Sequence, residues 1–314
     1  MKVRLSTSRW NSVKCEAMKT KFLCLVLAAM TFAFSAFGQK SDGWQKYLDE
    51  SNRPVKPFKI IGNVYYVGMN DLASYLIYTK DGLILVDTAL EESGPLIRKS
   101  IEELGFKPTD VKIILSGHAH FDHVAGHQTM KEQTGAKIYA TAPDAMIMRS
   151  GGMKGFFPFT DHKYRPVTVD KIIADGESVK LGGFSIQAHM LPGHTEGNTA
   201  WSFAVEDGGQ KYVVLIAPSM SVNPGVKLIN NKEWPGVADA YVDSFKKLRA
   251  LKCDVFLAPH TGFFDLAGKM EKMNSGAKPN PFIDPEGFRK YVDEMERAFN
   301  DERKRQLLSQ KSGE

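Results

Sequence analysis

Apolar runs and their periodicity divide most of the chain into short strands interrupted by a few amphipathic helices. Residues 63–69 (NVYYVGM) and 73–89 (ASYLIYTKDGLILVDTA) read as strands, the second run folding into a hairpin at Lys80-Asp81-Gly82, where Asp-Gly suits a tight turn. Over residues 91–104 the apolar positions Leu96, Ile97, Ile101 and Leu104 fall at helical spacing, and Gly105 follows as a C-cap. The β-branched run VKIIL at 111–115, an amphipathic turn at 123–135 and KIYAT at 137–141 complete a first block. A second block holds VTVDKII (167–173), ESVKL (177–181), FSIQAHML (184–191), TAWSFAV (199–205) and KYVVLIA (211–217) as strands. It continues with a helix at 236–251, the strand DVFLA at 254–258 and a final helix from about Pro285 to Lys304.

Two strand-rich blocks closed by helices predict an α/β fold of two packed sheets with helices on the outer faces, because each sheet must bury its second face. No Pro/Ser-rich linker or low-complexity stretch interrupts residues 39–314, which read as one domain. Residues 146–166, long, Gly-rich and aromatic, read as an irregular segment, and loops of that length in a compact domain are usually functional.

Charge changes the picture once it is located. Residues 1–38 carry six of the 41 basic residues and one of the 36 acidic ones, leaving 35 of each beyond. A neutral remainder removes the main support for a nucleic-acid partner. The leader has a basic n-region from Met18 (MKTK), an apolar stretch (FLCLVLAAMTFAF) and a small-x-small site at Ala36 and Gly38. This is the anatomy of a secretory signal, with cleavage expected between Gly38 and Gln39, and it implies a periplasmic or secreted protein. The apolar run is shorter than the roughly 20 residues of a spanning helix, so no stable membrane anchor is expected. Cys253 is the only cysteine after the leader, which excludes an intramolecular disulfide framework.

The chemistry concentrates at the ends of strands. VKIILSGHAHFDHVAGH at 111–127 holds four of the eight histidines and one aspartate. His118 and His120 are two apart on an extended segment and point the same way, while Asp122 and His123 sit where the chain turns toward a helix. Two further apolar strands end likewise, IQAHMLPGHT in His194 and CDVFLAPHTG in His260. Five imidazoles and one carboxylate suit Zn²⁺ and suffice for two ions with positions left for water. Packed without a metal, these groups would require a mutual desolvation that nothing nearby offsets. His127, His162 and His189 read as capping or surface residues.

HAHFDH, followed by GHTEGNTAW and APHTG, resembles the metallo-β-lactamase superfamily. More narrowly, PFKIIGNVYYVGMNDLASYLI, SGHAHFDHVAG, GHTEGNTAW and NPFIDPEGFRKYV resemble the third subclass (B3), over about residues 57–299. The resemblance implies an αββα sandwich with metals at the edge where strands end. It implies His118, His120 and His194 on a first zinc, and Asp122, His123 and His260 on a second. The superfamily also holds thioesterases, lactonases, phosphodiesterases and nucleases, so the His-x-His-x-Asp-His motif does not name a substrate.

The turn LIAPSMSVNPG at 215–225 discriminates among them. Relatives that cleave thioesters, lactones or phosphodiesters usually carry a metal-bridging aspartate there, and other lactamase subclasses a cysteine. Pro218, Ser219, Met220 and Ser221 offer neither, as in the third subclass, although Pro218 stands where many of its members have aspartate. The resemblance therefore implies hydrolysis of the β-lactam amide of penicillins, cephalosporins and carbapenems. Two zinc ions that share a water lower its pKa to about 7 and make hydroxide available, with Asp122 orienting it. Ser219 and Ser221 are expected near the second metal and the substrate carboxylate, Ser221 fitting equally a turn hydroxyl. Asn223 fits either a donor to the developing oxyanion or a structural turn residue. Phe156 and Phe157 fit either a cover over the substrate's apolar groups or an anchor of the loop to the core. A lactone or thioester hydrolase of the same fold, and a non-catalytic metal-binding protein, are the alternatives; a monomer is expected.

Overall fold

The computed structural model describes residues 43–156 and 162–312. The leader at residues 1–38 with its cleavage position, and Phe157, lie outside them. The chain divides at Glu50 into two units; the second, Ser51–Glu314, carries everything described below, and residues 43–50 of helix α1 (residues 43–51) lie in the first.

Seven strands form the first sheet in sequence order: β1 (Phe58–Ile61), β2 (Val64–Tyr66), β3 (Tyr75–Thr79), β4 (Gly82–Val86), β5 (Val111–Leu115), β6 (Lys137–Thr141) and β7 (Lys171–Ile173). Neighbours are antiparallel from β1 to β4 and parallel from β4 to β7. The second sheet has the order β12-β11-β10-β9-β8, from β8 (Ser178–Leu181), β9 (Phe184–Met190), β10 (Thr199–Asp207), β11 (Gln210–Ile216) and β12 (Val255–Leu257). Only its β11–β12 pair is parallel.

The near-continuous apolar strands of the first sheet follow from burial on both faces. Ile77, Ile84, Val86, Ile113 and Leu115 point into the core shared with Trp201, Phe203, Val214 and Ile216. The alternate residues Leu76, Leu83, Leu85, Val111 and Ile114 meet α2 (Gly94–Glu103) through Ile97 and Ile101, α4 (His127–Thr134) through Met130, and α5 (Ala142–Arg149) through Met148. Each such side chain contributes about 1.5–3 kcal/mol on burial. A one-residue slip in register would exchange the two cores. Outside the second sheet, α6 (Val237–Ala250) and α8 (Pro285–Ser312) pack together, with Tyr241 stacked on Phe299 at 5.0 Å. The layers are those of the expected αββα sandwich.

Several boundaries differ from the periodicity. The segment expected to be irregular from residue 146 begins only after α5, which runs to Arg149. Residues 121–135 form two short helices, α3 (Phe121–Val124) and α4, rather than one amphipathic turn. Helix α7 (Leu266–Asn274) has no counterpart in the apolar pattern, and α8 continues to Ser312.

Candidate metal centre

Topology brings the site together. β4 and β5 run parallel in one sheet and β11 and β12 in the other, while β9 shares its direction with β11 across the antiparallel β10. The C-terminal ends of these five strands deliver Asp87, His118, the 217–221 turn, His194 and His260. Backbone bonds sew the two sheets together at this edge: Thr199 N–H donates to the Gly117 carbonyl at 2.7 Å and Ala73 N–H to that of Pro259 at 2.9 Å. The Trp201 indole donates to the Ser116 carbonyl at 3.0 Å.

At that edge one ligand atom each from His118, His120 and His194 lies within 4.8 Å of the others, and so does a set from His118, Asp122 and His123. Asp122 Oδ2 lies 3.5 Å from His123 Nε2 and 3.6 Å from His260 Nε2. All six side chains expected to hold metal therefore converge. Short helix α3 turns Asp122 and His123 back toward the end of β5.

Four of the five imidazoles are held as neutral ligands. Burial, then the neighbouring imidazoles, hold His118 and His123 well below the usual histidine range. His120 moves the same way under burial and the charge of His194. Burial lowers His194 to about 4. In His260, burial acts downward but is outweighed by the Asp71 hydrogen bond and the Asp122 charge, so its pKa is raised. Both ring nitrogens of His118 and His123 are buried without a hydrogen-bond partner among the described residues, a costly state for a polar group that coordination to a cation would relieve. Imidazole nitrogens with one carboxylate are a donor set suited to zinc. His118, His120, His194 and Asp122 are thus positioned for metal binding.

A surrounding layer orients these ligands. His194 Nδ1–H donates to the Ser221 carbonyl at 2.7 Å, which leaves Nε2 for the centre. His260 Nδ1 lies 3.1 Å from Asp71 Oδ2. Asp87 Oδ1 accepts the Gly117 N–H at 2.9 Å, and its Oδ2 lies 3.7 Å from His123 Nδ1. Burial pushes the Asp87 carboxyl up to about 8. Asp87 and Ala89 occupy left-handed backbone at φ 61° and 53°, strain of the kind that persists at functional sites when the surroundings over-determine it. Behind His194, Gly197 is obligatory: a Cβ there would lie 2.3 Å from Thr141 Oγ1 and 2.4 Å from Asp144 Cγ. Asp144 receives the Thr195 hydroxyl at 3.2 Å.

Asp71, Asp87 and Asp144 escaped the sequence reading because each stands alone. Asp87 did carry a signal, since it ends the apolar run LILV just as His118 follows VKIIL. His127, expected as a capping or surface residue, is instead fully buried, with Nδ1 2.7 Å from Thr88 Oγ1; it belongs to the packing beneath the site. His162 stacks on Phe121 at 4.5 Å, and His189 pairs with Ser202 Oγ at 2.7 Å across β9 and β10.

The 217–221 turn is fixed from behind. Asn198 Nδ2 donates to the Ser219 carbonyl at 2.7 Å, and the Tyr291 hydroxyl of α8 donates to the Pro218 carbonyl at 2.6 Å. Ser219 is buried and its Oγ has no hydrogen-bond partner among the described residues. Ser221 acts through its carbonyl, which also accepts from the Tyr241 hydroxyl at 2.8 Å, while its Oγ lies 3.4 Å from His194 Nδ1. Asn223 lines a groove between this segment and α8. A small cleft opens beside His120, walled by Phe121, Phe156, His162, Tyr164 and Thr195. Phe156 stands edge-on to Trp234 at 4.9 Å and packs against the core, the anchoring role expected of it.

Layers and site together define a class, a hydrolase built as an αββα sandwich with a histidine-carboxylate metal centre at the strand-end edge. The model of the metallo-β-lactamase superfamily matches residues 71–215, and the chain belongs to that superfamily. Native FEZ-1 metallo-β-lactamase from Legionella gormanii is 44% identical, over 82% of this chain and 98% of that one, with a TM-score of 0.80. BJP-1, a subclass B3 metallo-β-lactamase of Bradyrhizobium japonicum, is 36% identical over 83% and 98%, with a TM-score of 0.78. A hydroxyacylglutathione hydrolase of Cereibacter sphaeroides is 31% identical over 160 residues, 51% of this chain and 50% of that protein. The chain spans about half the length of the curated relatives it matches.

Proposed function

We propose that this protein is a zinc-dependent β-lactamase that opens the amide ring of penicillins, cephalosporins and carbapenems. The observation that carries the reading is the turn after β11. Pro218, Ser219 and Ser221 are held there by Asn198, Tyr241 and Tyr291, with no carboxylate or thiolate to reach the metals. The likeness to FEZ-1 and BJP-1 over nearly their whole lengths supports it.

His118, His120 and His194 would hold one zinc ion, and Asp122, His123 and His260 a second. Zinc bound in such sites supplies a Lewis acid that lowers the pKa of water to about 7 and polarises a carbonyl oxygen. The chain does the positioning. The Ser221 carbonyl and the Asp71 carboxylate fix the rings of His194 and His260 and thereby their ligating nitrogens. Asp122, half-buried between His123 and His260, would accept a proton from the attacking water and pass it to the departing nitrogen. Ser219, Ser221 and Asn223 would serve the substrate carboxylate and the developing oxyanion. Phe156 and Phe157 would cover its apolar groups. The substrate is a small molecule, and the enzyme acts as an exported monomer, periplasmic or secreted, which fractionation of expressing cells should recover outside the cytoplasm.

A thioester hydrolase is the second reading, favoured by the match to hydroxyacylglutathione hydrolase. Purified protein assayed on nitrocefin, imipenem and S-lactoylglutathione, with and without chelator, separates the two. Chelator-sensitive imipenem turnover is expected; turnover of the thioester alone would replace the proposal with the second reading.

A further inference from the structure

Between β11 and α6 the chain runs from residue 217 to residue 236 without a strand or helix. A stretch of that length in a compact domain needs a reason and needs partners for its buried backbone groups. The partner is one side chain on the last turns of α8. Gln306 Oε1 accepts the N–H groups of Leu228 at 2.7 Å and Ile229 at 3.3 Å, and its Nε2 donates to the Val226 carbonyl at 2.8 Å. Its amide thus completes the segment as a neighbouring strand would. Glu302, one turn earlier, fixes that amide by accepting from the same Nε2 at 2.7 Å.

The hydrogen bonds continue toward the cleft. Asn231 Nδ2 donates to the Lys227 carbonyl at 2.8 Å, and its Oδ1 accepts the N–H groups of Glu233 and Trp234, both at 3.0 Å. Trp234 then meets the ring of Phe156 at 4.9 Å and 74°, and Phe156 walls the cleft beside His120. A contiguous chain of contacts therefore links the C-terminal turns of α8 to the substrate side of the site.

We propose that Gln306 is a positioning residue for substrate: it fastens residues 226–234 so that Trp234 holds Phe156 in the cleft wall. It touches no metal ligand, so its influence falls on substrate binding and leaves the reacting centre intact. The proposal rests on the hydrolase reading above for its kinetic arm and is independent of it for its structural arm.

The experiment compares the wild-type enzyme, loaded with zinc, with Gln306→Leu, Gln306→Glu and Trp234→Leu. Hydrogen exchange is followed at the Leu228 and Ile229 amides, beside kcat, KM and metal content. In Q306L the two amides should lose protection by about tenfold or more. KM for imipenem should rise about five- to tenfold while kcat stays within about twofold and bound metal is unchanged. Q306E keeps the acceptor for both amides but sets a carboxylate against Glu302 and the Val226 carbonyl, so it should lose protection as well. W234L should raise KM comparably with those amides still protected. Unchanged exchange in Q306L overturns the fastening, and so does an equal loss of metal and kcat. Unchanged KM in W234L overturns the route to the cleft even if Q306L fails to fold. If the wild type cleaves S-lactoylglutathione in place of imipenem, the function reading fails alone; exchange and the KM for the thioester then test this proposal.

Discussion

A carboxylate buried without a cation beside it behaves unlike one on the surface, and Asp144 is such a group. Burial raises its pKa from 3.8 to about 7, against the hydrogen bonds from Thr195 and the Gly197 amide. The folded protein therefore holds a proton between pH about 4 and about 7 that the unfolded chain has released. With more protons bound in the native state, stability falls as pH rises through that window. The substitution Asp144→Asn keeps an acceptor for Thr195 and removes the charge. In urea unfolding, D144N should gain stability relative to wild type across pH 4 to 7, on the order of 2–4 kcal/mol, and level off above. A difference independent of pH would show that Asp144 does not titrate there. Among the proposed ligands, His118→Ala should abolish turnover and lower bound metal in elemental analysis, because its ring is one of the three assigned to the first ion; full metal content in H118A would contradict the assigned centre.

At the scale of elements, whatever buried an apolar stripe was legible and whatever buried something else was not. The strands of the first sheet were plain because their alternate residues enter two different cores. The three strand-tip histidine groups were plain because each follows such a run. Helix α7 was not, and the reason is Lys269. That side chain is buried, 2.8 Å from Asp284, with Nζ 5.4, 5.7 and 5.8 Å from the ring centres of Phe256, Phe264 and Phe282. A helix whose buried face is led by a lysine has no apolar period to find. The orienting aspartates were hidden for a related reason, since Asp71 meets His260 from 189 residues away and nothing local marks it. Lys269 also ties α7, which follows the turn after His260, to the start of α8. Truncation to alanine removes a buried charge partner and opens space among the rings, so K269A should lose about 3 kcal/mol in urea unfolding. K269M should lose less than half of that by refilling the space. Equal losses would assign the whole effect to the charge.

For the molecule as a whole, the site is also a seam. His118, His120, Asp122 and His123 follow a strand of the first sheet, and His194 and His260 follow strands of the second. Metal held by both sets would cross-link the two sheets at the edge where the unfolded chain has no preformed site. Binding free energy at such a centre is folding free energy. The buried ring nitrogens of His118 and His123, which make no hydrogen bond among the described residues, leave the metal-free fold a desolvation cost that coordination would remove. Free zinc at about one hundred times its dissociation constant adds about 2.7 kcal/mol to a protein that binds only when folded. At roughly 2–4 °C per kcal/mol for a domain of this size, Tm should rise by about 5–10 °C. Scanning calorimetry of chelator-stripped protein with and without added zinc measures that increment directly. In H118A, which lacks one ligand of the first ion, the share of it that this ion supplies should vanish. A zinc-dependent rise that survives intact in H118A would mean that the stabilising ion sits elsewhere, and no rise in the wild type would mean that the two sheets are closed by packing alone.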